Sequence, residues 1–318
     1  MKLATLVAAA ALLVAAPVAA QPWPAKPVKI IVAFPPGGGN DFIARFIAQR
    51  LSASLGQQFV VENRTGAGGT IGFEAGVKAP PDGYTFTLIS NSYTVNPSLY
   101  KIKFDPVADM TPVIQISQGP YIVVVHPSLP VTSLGELISL AKSKPDTINF
   151  ASSGAGSVAH LGTELFASMA GFKLNHVPYR GTGPALSDTI GGQTNAMLGS
   201  PASTLPHVRA GKLRALAVTT PQRLVAEPDI PTVAEAGVPG YQTILWHALI
   251  GPKYLPAPIV ARLNAEVTAI LKLKEAADQL QNDGVSPAGG SPEDLRAAIR
   301  SEIELWRRVV RDAGVKLE

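Results

Sequence analysis

Two glycine-rich turns are the segments of this sequence whose residue types could do chemistry. The first, 35–41, reads PPGGGND and follows an apolar, strand-like stretch at 28–34. The second, 152–157, reads SSGAGS and follows another such stretch at 148–151. Glycine lets a backbone approach a ligand closely, and the N–H groups that open the next helix attract negative charge. Both turns therefore indicate anion binding, although each alone is equally consistent with a purely structural tight turn.

Side chains near these turns favour a carboxylate as the anion. Ser153 and Ser157 add hydroxyl donors to the second turn. His160 follows one helical turn later, and its interpretations as a ligand contact and as a structural histidine stay equally open. Arg180 follows a predicted strand and could meet a carboxylate, with a surface arginine as the alternative. We expect Asp41 to cap its helix or brace its loop, because a carboxylate inside an anion site would repel the ligand.

Enzyme chemistry has little support in the sequence. The chain has no cysteine, which excludes disulfides, thiolate metal sites and a cysteine nucleophile. No serine lies in G-x-S-x-G, and none of the 5 histidines forms H-E-x-x-H. Residues 154–159 fit G-x-G-x-x-A without a suitably placed acidic residue, and 66–69 fails that spacing. We therefore expect no catalysis, no cofactor and no metal.

The order of strand and helix signals predicts how the turns are positioned. Strand-like runs at 28–34, 58–62 and 85–90 alternate with helical patterns, which is typical of an α/β fold. Ligands of such folds bind beyond the carboxyl ends of the strands. Segments 113–125 and 241–250 are interpreted as two crossings between lobes. We predict an α/β, two-lobed fold in which each lobe is a mixed, mostly parallel sheet flanked by helices.

The predicted domains follow from those crossings and from the N-terminus. Lys2, an apolar stretch at 3–16, a proline and small residues at 18–20 predict a signal peptide, 1–20, cleaved near Ala20. The alternative, a retained membrane anchor, is disfavoured because the stretch is short and mostly alanine. Lobe 1 would comprise 21–120 plus 241–318, and lobe 2 would comprise 121–240. Without a cysteine for lipid attachment, the mature protein is expected to diffuse freely in the periplasm.

The charge pattern argues against nucleic acid as a partner. The formal net charge is +4, and the basic residues are dispersed instead of clustered on one face with aromatic residues. A mild positive bias suits an anionic ligand. We expect a monomer.

The chain resembles a known family, the substrate-binding receptors of tripartite tricarboxylate transporters, also called Bug receptors. The resemblance runs from residue 23 to the last helix. It rests on motifs that are weak singly and specific together: AFPPGGGNDFIAR at 33–45, VVENRTGAGGTIG at 60–72, PPDGYT at 80–85, SSGAGSVAHLGTELF at 152–166, HVPYRGTGPAL at 176–186, KLRALAV at 212–218 and PTVAEAG at 231–237.

The resemblance implies a periplasmic Venus-flytrap receptor that closes on a small di-, tri- or aromatic carboxylate. It further implies uptake by a membrane permease of large and small subunits, with a ligand sensor for a signalling protein as the alternative. In the family, backbone amides, ordered water and the serine-rich turn hold the carboxylate. Relatives often have aspartate where Gly199 stands, so this chain is expected to reject ligands that need an ammonium partner.

The predicted ligand-binding residues lie in the turns and at the ends of neighbouring strands. They are Phe34, Pro36, Gly37, Gly38, Gly39, Asp41, Ser90, Asn91, Ser153, Gly154, Gly156, Ser157, His160, Tyr179, Arg180, Gly181, Thr182 and Ser200.

Overall fold

The computed structural model describes residues 23–282 and 284–313, which build two β-sheets covered by helices. The predicted signal peptide and its cleavage site lie outside the described residues. The strands are β1 (Val28–Val32), β2 (Phe59–Asn63), β3 (Thr85–Ser90), β4 (Met110–Pro120), β5 (Ile122–Val125), β6 (Asn149–Ser152), β7 (Asn175–Pro178), β8 (Ala196–Gly199), β9 (Arg214–Val218), β10 (Ile244–Pro252) and β11 (Ser286–Gly289).

Helices follow most of these strands. They are α1 (Gly39–Leu55), α2 (Thr70–Val77), α3 (Asn91–Leu99), α4 (Leu134–Ser143), α5 (Val158–Ala170), α6 (Thr182–Ile190), α7 (Pro201–Arg209), α8 (Ala257–Lys272), α9 (Lys274–Asn282) and α10 (Pro292–Ala313). None of the helices in the described part of the chain is both long and apolar enough to cross a bilayer.

The two sheets are both mixed. The first has the order β11-β4-β10-β3-β1-β2, and the second has the order β7-β6-β8-β5-β9. β1 pairs in parallel with β2 and β3, and β6 pairs in parallel with β7 and β8. The strands at the crossings, β4, β5 and β10, pair antiparallel with their neighbours. The expectation of mostly parallel sheets therefore holds for β1 to β3 and for β6 to β8, whereas β10 and β11 in the first sheet and β5 in the second run against the other strands.

The chain passes between the sheets where the sequence placed the crossings. It leaves the first sheet at Pro120, enters the second at Ile122 and returns to the first at Ile244. The exact lobe boundaries stay a prediction, because the core of the second sheet also contains residues from outside 121–240. Val95 of α3 and Trp306 of α10 pack into that core. Earlier in α10, Ile299 and Ile303 pack into the core of the first sheet instead.

Local sequence explains where the helices next to the turns begin. α1 is capped by Gly38 and begins at Gly39, so the alternative in which Asp41 caps this helix is wrong. Glycine at the cap keeps the turn narrow, which places Asp41 inside the first helical turn. α5 is capped by Ser157, whose Oγ accepts a hydrogen bond from the His160 N–H at 3.2 Å.

Candidate functional site

The first-lobe turn lies between β1 and α1 and is braced from behind by Asp41. The Asp41 carboxylate accepts hydrogen bonds from the Arg45 Nε at 2.9 Å, the Asn63 Nδ2 at 3.0 Å and the Gly37 N–H at 3.2 Å. Burial opposes ionisation of this carboxyl, but the hydrogen bonds from Arg45, Asn63 and Gly37 outweigh it and lower the pKa of Asp41. Its charge is thus neutralised inside the lobe. Asp41 shapes the turn, and its carboxylate is occupied by hydrogen bonds from Gly37, Arg45 and Asn63.

The second-lobe turn lies between β6 and α5 and is held by its own side chains. The Ser152 Oγ accepts a hydrogen bond from the Gly154 N–H at 3.2 Å, and the Ser157 N–H donates to the Gly154 carbonyl at 3.0 Å. Gly154 has φ +136° and Gly156 has φ +77°, conformations that residues with a Cβ rarely adopt. The glycines are therefore required by the shape of the turn.

The first-lobe turn touches the second lobe directly. A Cβ added at Gly38 would lie 3.2 Å from the Thr182 Cβ, and one at Gly39 would lie 2.6 Å from the Ser200 Oγ. A Cβ at Gly181 would lie only 2.3 Å from the Cδ of Pro35. Glycine at these positions is what lets the lobes meet. The structure thus brings Gly38, Gly39, Gly181, Thr182 and Ser200 together as a contact between lobes.

Beside this contact lies a cavity of about 210 Å³ between the lobes. Its wall contains five of the predicted site residues, which are Phe34, Ser153, Gly154, Tyr179 and Arg180. The other lining residues are Ala33, Gly66, Ala67, Gly68, Gly69, Ala155 and Pro178. This volume is below the roughly 300 to 1,000 Å³ that is usual for ligand pockets, so the space suits only a small molecule.

The segment 66–69 is the part of the cavity wall that sequence reasoning missed. All four residues have positive φ, namely +127° at Gly66, +47° at Ala67, +61° at Gly68 and +96° at Gly69. The Asn96 Nδ2 holds the segment by donating to the Gly68 carbonyl at 3.0 Å. The signal was present, because GAGG follows strand β2 as the other glycine turns follow theirs.

The charge in the cavity favours an anion. Arg180 is exposed in its wall, and within the described residues no carboxylate pairs with it. The Tyr179 hydroxyl donates to the Asp188 Oδ2 at 2.7 Å. Burial, and to a smaller extent the Asp188 carboxylate, raises the pKa of Tyr179 to about 12. None of the lining residues is aspartate or glutamate. The wall therefore offers donors and a positive charge without a competing negative one.

Several predicted residues do not reach the cavity wall. Asn91 is buried, and its side chain bonds to Ile244 at the start of β10 and to Glu302 of α10, at 2.9 and 2.7 Å. Ser90 is buried at the end of β3. Apart from the residues of the contact between the lobes, the other predicted residues outside the wall lie in the two turns or behind them. They are Pro36, Gly37, Asp41, Gly156, Ser157 and His160. Asn91 thus joins α3 to β10 and α10.

Larger depressions occur elsewhere. One of about 390 Å³ includes Gly37 and Gly38 of the first-lobe turn, but its arginine, Arg45, is paired with Asp41 at 2.9 Å. A groove of about 310 Å³ is lined by residues such as Gln118, Leu224 and Ile244. Its arginine, Arg223, is paired with Glu235 at 2.8 Å. In the described residues, no three His, Cys, Asp or Glu side chains are grouped so as to hold a metal ion. The smaller cavity is therefore the candidate site, because it combines glycine-rich walls with an unpaired arginine.

Comparisons with known proteins agree with this geometry. A family model described as tripartite tricarboxylate transporter family receptor matches residues 43–315. Protein BugT of Bordetella pertussis is 40% identical over 308 residues, covering 96% of this chain and 94% of BugT. The structure of R. palustris Rpa4515 with adipate has a TM-score of 0.90 at 40% identity, covering 92% of this chain and 99% of that one.

A further solved structure is similar along most of its length. MatC (Rpa3494) from Rhodopseudomonas palustris with bound malate has a TM-score of 0.86 at 32% identity, covering 91% of this chain and 100% of MatC. These similarities confirm the two-lobed α/β fold and the family resemblance read from the motifs.

Proposed function

The chain belongs to the tripartite tricarboxylate transporter receptor family, and on that premise we propose that it captures a small dicarboxylate between its lobes. The observation that carries this proposal is the cavity between the lobes. Its wall is built from glycine-rich backbone, with Ser153 and the unpaired Arg180, and it contains no carboxylate. Such a wall stabilises negative charge, since the hydrogen bonds that a carboxylate accepts from arginine and from backbone N–H groups are stronger than those between neutral groups.

Relatives with known ligands support the size and charge of this molecule. Rpa4515 was solved with adipate and MatC with malate, both small dicarboxylates. A cavity of about 210 Å³ accommodates molecules of that class. Arg180 would meet one carboxylate, and Ser153 with the backbone of the second-lobe turn would contribute donors. Phe34 and Tyr179 would cover the apolar middle of the ligand.

The ligand is proposed to lack an ammonium group. An ammonium is best held by a carboxylate, and none of the residues that line the cavity is aspartate or glutamate. Gly199 stands at the end of β8, and a Cβ there would already lie 2.1 Å from the Thr204 Cγ2. Burying an unpaired ammonium costs several kcal/mol, on the order of the penalties measured for unpaired polar and charged groups.

The cellular role follows from the family. The protein is proposed to act without catalysis as a monomeric receptor in the periplasm, after removal of the signal peptide. It would deliver its ligand to a membrane permease with one large and one small subunit. Closure of the lobes would create the surface that the permease recognises, because each lobe holds only part of the binding site.

Titration calorimetry on matched ligands tests this function. Succinate and adipate are compared with aspartate, which differs from succinate by the ammonium group alone. We expect a dicarboxylate to bind and aspartate to bind at least about tenfold more weakly, since tenfold corresponds to only 1.4 kcal/mol. The variant Arg180→Gln keeps a polar side chain but is shorter and lacks the charge, so it should weaken binding. Tighter binding of aspartate, or unchanged affinity in the variant, would contradict the proposed site.

A further inference from the structure

Two histidines stack behind the second-lobe turn without lining the cavity. His160 belongs to α5 and His176 to β7, yet their rings lie 3.7 Å apart between centroids at an interplanar angle of 10°. His160 is buried, and neither residue is part of the cavity wall. Face-to-face stacking of the two imidazole rings requires that α5 and β7 lie close together. It also disfavours a positive charge on both rings at once.

Each ring holds one end of the turn. The His160 Nδ1 accepts a hydrogen bond from the Gly156 N–H at 3.0 Å, which leaves the proton of the neutral ring on Nε2, 3.7 Å from the Glu164 Oε1. The His176 Nε2 lies 2.6 Å from the Ser152 Oγ. That hydroxyl in turn accepts from the Gly154 N–H at 3.2 Å. The pair therefore fixes the turn at both Gly154 and Gly156.

These bonds divide the N–H groups of the turn into two sets. The N–H groups of Gly154 and Gly156 are occupied by Ser152 and His160. Among the described residues no group accepts from the N–H of Ser153 or of Ala155, and both of these residues line the cavity. Occupied and available N–H groups therefore alternate along the turn, and the N–H groups of Ser153 and Ala155 remain as donors at the cavity wall.

The surroundings keep His176 uncharged near neutral pH. Burial, followed by the neighbouring His160, lowers the pKa of His176 to about 4, while Glu164 acts in the opposite direction. A neutral His176 allows the rings to stack without charge repulsion. The stack is thereby compatible with the acceptor role of the His160 Nδ1.

We infer that His160 is a positioning residue that, through Gly156 and with His176 stacked upon it, sets the second-lobe turn so that the Ser153 and Ala155 N–H groups face the ligand carboxylate. This inference rests on the proposed function for the identity of the ligand. The arrangement of the turn itself does not depend on which anion binds.

Two substitutions separate this role from simple packing. In His160→Asn, the amide oxygen can occupy the place of Nδ1 and accept from Gly156, although the side chain is smaller. In His160→Gln, the oxygen reaches instead toward the place of Nε2, although the volume is closer to that of histidine. A positioning role requires Asn to perform better than Gln. A packing role requires the reverse, because Asn leaves the larger void.

The first measurement is amide hydrogen exchange of the turn in the ligand-free protein, followed residue by residue by NMR. Loss of one hydrogen bond should make exchange at Gly156 roughly fivefold faster in His160→Gln, with His160→Asn close to wild type. Ser152→Ala removes the hydroxyl between His176 and the turn and should have the same effect at Gly154. It serves as the second variant should His160→Gln fail to fold, which urea unfolding of each variant reports.

The second measurement is the affinity for adipate by calorimetry, in which His160→Gln should raise the Kd at least about fivefold over His160→Asn. Equal exchange at Gly156 in wild type and His160→Gln, or slower exchange in Gln than in Asn, overturns the positioning role even when adipate binds. If adipate fails to bind wild type while exchange follows the expected order, the positioning role is supported and the proposed ligand is wrong.

Discussion

The buried His247 offers a quantitative test of how this fold responds to acid. His247 lies on β10, its Nδ1 is 3.0 Å from the Ser117 Oγ, and its Nε2 is buried without a hydrogen-bond partner in the described structure. Burial lowers the pKa of His247 to about 3. A protonated ring would place an unpaired charge in the first-sheet core, so the folded protein keeps this histidine neutral.

The sign and size of the effect follow from linkage. The unfolded chain binds the proton near the ordinary histidine value of about 6.5, whereas the folded protein binds it only near pH 3. Stability contributed by the neutral ring is therefore complete above pH 6.5 and is lost as the pH falls toward 3. At pH 4.5 the unfolded state is therefore favoured by roughly 3 kcal/mol more than at pH 7, because it binds a proton that the folded state does not bind.

His247→Gln removes this titration, and urea unfolding at pH 7 and pH 4.5 measures it. Between pH 7 and pH 4.5 we expect the free energy of unfolding to fall by roughly 3 kcal/mol less in the variant than in wild type. The contribution of His176, which also has a lowered pKa, is present in both proteins and cancels. Ser117→Ala is the matched control, since it removes the hydrogen-bond partner but keeps the titrating ring. An equal acid-induced loss in wild type and His247→Gln would refute the reasoning.

Three further outcomes are expected. Gly154→Ala should weaken dicarboxylate binding at least about tenfold while the circular dichroism spectrum is retained, because Gly154 has φ +136° and a Cβ there would lie 3.1 Å from the Tyr179 carbonyl; wild-type affinity would place the ligand elsewhere. Tyr100→Phe removes the hydroxyl that donates across the lobes to the Ala155 carbonyl, so affinity measured by calorimetry should drop roughly fivefold, and an unchanged Kd would show that this bond is not needed for closure. Small-angle scattering should give a smaller radius of gyration with saturating dicarboxylate than without it, and equal radii would count against lobe closure.

The sequence predicted those parts of the site that carry a local signature. Glycines before a helix and after an apolar strand located both turns. A bracing role for Asp41 was one of two alternatives: its hydrogen bonds from Gly37 and Arg45 are local in sequence, whereas the one from Asn63 is made only by the fold. Spatial partners of this kind, including Asn63 and His176, have no marker in the sequence.

Helix α3 shows why other parts were missed. Its sequence NSYTVNPSL is polar, contains Pro97 and has no apolar stripe, so no periodicity indicated a helix. It is nevertheless buried from Asn91 to Asn96, because it lies between α10 and the second lobe. Its polar side chains are satisfied by long-range partners such as Glu302, whose carboxylate accepts from Asn91, Thr94 and Trp246. Asn91 was therefore assigned to the ligand although it belongs to this network.

The path of the chain also bears on how the protein is made. The first sheet combines β1 (Val28–Val32) with β11 (Ser286–Gly289), so it is completed only after residue 289 has been synthesised. The second sheet is formed by one continuous stretch from β5 to β9 and could assemble earlier. α10 then contributes Ile299 and Ile303 to one core and Trp306 to the other. A chain whose α10 is not yet available would thus lack the last piece of both cores, so complete folding of both lobes waits for this one helix.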